Sequence, residues 1–130
     1  MNIKSLILAM SLVLSASAFA MNDCQLMRNK EMEMDVISSN IDNVNTTRTD
    51  DGGPYKEKKL ICSENMCAII SYNSIITKHL PGHPDANKDG DVKFPDIDLN
   101  TEMKAMIEAK SAFEQAARNC KAKKVTLNGV

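Results

Sequence analysis

The side chains best equipped for chemistry in this 130-residue chain are four cysteines and one short acidic run. Cys24, Cys62, Cys67 and Cys120 are even in number, so disulfides can consume them all, in any of three pairings. A Cys62–Cys67 bridge closes a tight loop around Ser63, Glu64, Asn65 and Met66. Read instead as a zinc site, C-x4-C alone is a weak signal. The acidic run D-A-N-K-D-G-D-V-K-F-P-D puts Asp85, Asn87 and Asp89 at positions 1, 3 and 5 of a calcium loop. Gly90 falls at position 6, where the chain must turn sharply, and Asp96 at position 12, with Asp91 as a further carboxylate.

That run departs from the calcium pattern. Asp96 is shorter than the bidentate glutamate usual at its position, and Lys93 puts a cation where an oxygen is wanted. Pro81 and Pro84 forbid an entering helix, and no second loop is present to pair with the first. The expectation is no cofactor, with calcium on Asp85, Asn87, Asp89, Asp91 and Asp96 as the competing reading. Met32 and Met34 raise copper, but methionine is far more often an adaptable filler of cores and interfaces. His79 and His83 flank a Pro-Gly pair and read as loop residues. There is no Ser/His/Asp order with a nucleophile turn, no Gly-rich phosphate loop and no H-E-x-x-H. The chain is therefore expected not to be an enzyme.

Two helices must position these groups. Met34, Ile37, Ile41 and Val44 recur at threes and fours, a single stripe on a helix. Asp35, Ser38, Ser39, Asn40, Asp42 and Asn43 are expected to cover its other side. So narrow a stripe needs a partner in water, and the one candidate lies far downstream. There Leu99, Met103, Met106, Ile107, Phe113, Ala116, Ala117 and Cys120 keep similar spacing. Met27, Met34 and Ile41 are set against Met103, Lys110 and Ala117, as in an antiparallel coiled-coil pair. Asn100 or Thr101 is the expected cap, with Lys121, Lys123 and Lys124 near the negative end. In such a hairpin the ends carrying Cys24 and Cys120 meet, which selects Cys24–Cys120 and Cys62–Cys67 among the pairings.

Between the helices, Lys56–Ile61 and Ala68–Tyr72 read as strands of a small β-hairpin, and Ile75–Thr77 as a further extended piece. The fold class expected is mainly α: a two-helix coiled-coil hairpin with a small inserted β-hairpin. The helices span about 24–46 and about 100–121, the β-hairpin about 55–73, and an acidic loop occupies 81–98. Met34, Val36, Ile37, Ile41, Val44, Met103, Met106, Ile107 and Phe113 form the expected assembly interface. Of these, Val36 and Ile107, like Met32 and Ala109, are expected off the intramolecular seam and exposed.

Residues 1–20 read as a secretory leader: Lys4, an apolar run from Leu6 to Leu14, then small residues ending at Ala20. The run is too short to span a bilayer comfortably, so no membrane span is expected after cleavage. Residues 21–130 then make one small domain in a compartment where disulfides form. With 17 acids against 16 bases in the whole chain, neither nucleic acid nor an anionic membrane is expected as a partner. Aromatic content of 4% with no tryptophan favours an elongated helical pair that completes its burial in an assembly.

The run V-I-S-S-N-I-D-N-V-N-T-T-R-T…G-G-P-Y-K from Val36, with Pro81–Asp98 and Glu102–Lys110, resembles the flagellar basal-body rod proteins, in particular their proximal-rod members. The resemblance covers most of residues 32–119 and keeps the order of the blocks. It implies a structural subunit of the rod, or an accessory to it, that assembles through paired terminal helices for motility. The partners implied are the chain itself and other rod-type proteins, with no small-molecule substrate, in the periplasmic basal body or secreted. The alternative is a small secreted calcium-binding interaction module whose loop is similar to those of EF-hands and dockerins.

Overall fold

The computed structural model describes residues 22–129 with the exception of 65; the expected leader lies outside the described residues. Helix α1 runs Asp23–Asp42 and helix α2 runs Leu99–Asn128. Between them lie strands β1 (Glu57–Ser63), β2 (Met66–Tyr72), β3 (Ile75–His79) and β4 (Asp91–Pro95). The helices are antiparallel: the start of α1 meets the end of α2 at Cys24–Cys120, and Asn40 near its other end meets Glu102.

Side chains set the helix ends. Asn22 caps α1 by accepting from the Cys24 N–H. At the other end Asn43 donates back to the Ser39 carbonyl and accepts from the Thr46 hydroxyl, so α1 stops short of the expected 46. Asp98, not Asn100 or Thr101, caps α2 by accepting from both of their backbone N–H groups. Past Cys120 no proline or glycine intervenes before Gly129, and α2 continues to Asn128. Its lysines therefore lie inside the helix, where Lys123 pairs with Asp23 at 2.7 Å.

Four strands make the fold a mixture of helix and antiparallel sheet, not mainly α. β1 and β2 form the expected hairpin, with Cys62 directly opposite Cys67. The second sheet departs from expectation: β3 pairs with β4, and β4 lies within what reads as an acidic loop. Val92 and Phe94 alternate inward there at 1% and 7% exposure, a period-two pattern masked by the aspartates around it. The true loop shrinks to 80–90 and turns at Gly90, whose φ is 83°. A Cβ at Gly90 would lie 2.9 Å from the His79 ring, so conformation and space both require glycine.

Candidate assembly interface

The centre of the helical pair is polar. Asn40 is 1% exposed and uses its whole amide. Its Nδ2 donates to the Lys58 carbonyl and to Glu102 Oε2, while its Oδ1 accepts from the Lys58 N–H and the Tyr55 hydroxyl. One side chain thus joins α1, the Tyr55 loop, β1 and α2. The Tyr55 hydroxyl also meets Ser39 at 3.0 Å. The loop before Tyr55 is closed by Tyr55 N–H to the Thr46 carbonyl and Thr49 N–H to the Gly53 carbonyl. A fully satisfied buried amide tolerates little displacement, so this hub fixes the register of the two helices.

Glu102, Ala109 and Ala116 are buried at seven-residue intervals on α2, with Cys120 after them. The seam thus lies one residue back from the expected Met103, Lys110 and Ala117, a rotation of one helical step. Small alanines let α1 approach closely, and Glu102 turns inward to reach Asn40. On α1 the buried positions are Asn29, Val36, Ile37 and Asn40. Val36 and Ala109, expected to be exposed, are 6% and 2% exposed, and Asn40, expected outside, is innermost. Met34, Ile41, Val44, Met106 and Phe113 are half-buried at the edges of the seam.

Several large apolar side chains nevertheless lie outside. Leu99, Met103 and Ile107 are 41%, 52% and 70% exposed, and their four-residue steps put them on one face of α2. On the hairpin, strand register places Ile61, Met66, Ala68 and Ile70 on one exposed face.

The two disulfides join Cys24 to Cys120 and Cys62 to Cys67. In the acidic run, Asp85 accepts from the Thr47 hydroxyl and pairs with Arg48. The Thr47 hydrogen bond and the Arg48 charge hold its carboxyl below the ordinary carboxylate range, against partial burial. Asn87 Oδ1 accepts from the Asp89 and Asp91 N–H groups, and Asp91 meets His79 at 3.0 Å. Asp96 accepts from Ser74, away from Asp85. The side chains of Asp85, Asn87, Asp91 and Asp96 are thus engaged in local structure. Among the described residues no group of three His, Cys, Asp or Glu is placed to hold a metal ion. Asp85, Asn87 and Asp91 also line an open groove of about 1060 Å³, with cations and carboxylates interspersed along it.

The architecture is thus a pair of antiparallel end helices joined by a polar hub, with two small antiparallel sheets between them. Among the described residues no helix is long and apolar enough to cross a membrane. No protein-family model matches the chain. It is 32% identical to the flagellar basal-body rod protein FlgC of Borreliella burgdorferi, over a 114-residue alignment taking in 65% of this chain and 75% of that relative. The chain belongs to the flagellar basal-body rod protein family and is FlgC-like.

Sequence reasoning missed Asn29, Asn40, Tyr55 and Glu102 as buried residues. A signal for Asn40 was present: it lies three residues after Ile37 and four before Val44, in step with the apolar stripe.

Proposed function

We propose that the chain is a non-enzymatic structural subunit of the bacterial flagellar basal-body rod, or an accessory docked on it, and that it assembles through its helical pair. The observation that carries the reading is the exposed stripe Leu99, Met103 and Ile107. The seam is already filled by Ala109 and Ala116, so the stripe has no intramolecular role left. Contiguous exposed apolar side chains mark a partner surface. The partners are rod-type helices of the same or related chains, met in the periplasm after export. The half-buried Met34 and Ile41 of α1, Val44 just past its end, and Met106 and Phe113 of α2 extend the same surface. An affinity-tagged copy should co-isolate with basal bodies and lose that association in cells that build no rod. An identical distribution in both strains contradicts the proposal.

A further inference from the structure

The two disulfides stand in unlike surroundings. Cys120 is 4% exposed in the helix seam, with Cys24 half-buried beside it. Cys62 is exposed and Cys67 half-buried at the turn end of the hairpin, away from Lys58, where Asn40 ties β1 to the helical pair. The pairs Ile61↔Ala68 and Ser63↔Met66 flank the bridge on both sides, so strand pairing keeps the sulfurs opposed without the bond. Inside the bridged loop, Glu64 has a φ of 52°, a left-handed conformation unfavourable for a side chain with a Cβ. An accessible bridge holding an unfavourable turn is of the labile kind, whereas a buried one resists attack.

From these observations we propose that Cys62–Cys67 is a thiol–disulfide exchange site, opened and reclosed by a dithiol reductant while the folded helical pair keeps Cys24–Cys120. A reductant thiolate attacks the exposed Cys62 sulfur, forming a mixed disulfide and expelling the Cys67 thiolate, which takes up a proton. The second thiol of the reductant then loses its proton and attacks its partner sulfur. This closes the reductant's own disulfide and releases Cys62 as a thiolate that is protonated in turn. Two electrons pass from the dithiol to the cystine, and reoxidation by a disulfide of the same class reverses each step.

The test uses the full oxidised chain, dithiothreitol as the dithiol, alkylation at timed intervals and peptide mapping. Cys62 and Cys67 should be alkylated about tenfold faster than Cys24 and Cys120 or more, since attack on the buried bridge must wait for local opening. Helical circular dichroism should hold while only the hairpin bridge is open, and removal of reductant followed by oxidised glutathione should reclose that bridge. Simultaneous reduction of both bridges, earlier loss of Cys24–Cys120, or loss of helical signal with the first bridge overturns the proposal. As a second measurement, a Cys24→Ser/Cys120→Ser variant that still folds should show an unchanged Cys62–Cys67 rate. A rate that collapses with the helix bridge gone contradicts the independence of the two sites.

Discussion

The helical seam and the β1–β2 hairpin differ in how they place polar and apolar side chains. The seam buries Asn29, Asn40 and Glu102 beside Val36, Ile37, Ala109, Ala116 and Cys120, while the hairpin leaves Ile61, Met66, Ile69 and Ile70 between 43% and 79% exposed. In the seam, hydrogen bonds and a bridge define one register and small side chains permit close approach. On the hairpin and on the outer face of α2, apolar area is left uncovered. The seam thus combines directional contacts with apolar burial, whereas the hairpin and the outer face of α2 leave apolar area that the proposed assembly would cover.

Removing the bridges tests the contrast most strongly. Cys24 and Cys120 are 96 residues apart in sequence and Cys62 and Cys67 only 5. In the chain-entropy model, Cys24→Ser with Cys120→Ser should cost about 4–5 kcal/mol in urea unfolding, against about 2 kcal/mol for Cys62→Ser with Cys67→Ser. Equal losses would mean that the long bridge constrains the unfolded chain no more than the short one.

Asn40→Ala follows. It removes all four bonds of the amide and leaves Glu102 and both Lys58 backbone groups without that partner. A loss of about 3 kcal/mol is expected, since stranding buried polar groups costs more than deleting a paired contact gains. A loss below about 1 kcal/mol, the size of an ordinary hydrogen bond, would show that the hub does not set the register.

Acid titration should give a smaller effect. The hydrogen bond from Lys123, with lesser help from Asn119 and the Lys123 charge, lowers the Asp23 pKa, and Thr47 with Arg48 lowers that of Asp85. Folded values below the ordinary 3.8 mean that both groups stabilise the fold above that pH. The contribution is lost as pH falls through the depressed values. Thermal melts of Asp23→Asn and Asp85→Asn should therefore converge with wild type below that pH and fall beneath it at neutrality.

Calcium gives the smallest expected change. With Asp85 committed to Thr47 and Arg48, millimolar calcium should leave the melting temperature unmoved. A rise that Asp89→Ala abolishes would instead support the metal reading of the loop.

What was legible in the sequence depended on how many physical constraints acted on each residue. Antiparallel helix ends leave a narrow choice for four cysteines, so the pairing could be argued from spacing. The seam was harder to read, because rules of polarity send Asn40 and Glu102 outward, and only a tertiary partner for each brings them in. Strand β4 was hidden because Asp89, Asp91 and Asp96 read as loop or ligand chemistry, while Val92 and Phe94 supply just two inward positions. The reach of α2 to Asn128 was understated because lysines resemble an end signal, whereas they are also good helix formers.

The central claim is that the outer stripe of α2 mediates assembly and contributes nothing to the fold. The direct measurement is the association of an Ile107→Asp variant with isolated basal-body rods, read beside its unfolding free energy. Ile107 is 70% exposed, so stability should stay within about 0.5 kcal/mol of wild type. Rod association should fall at least about tenfold, because a charge is forced into an apolar contact. Undiminished association at unchanged stability would contradict the account.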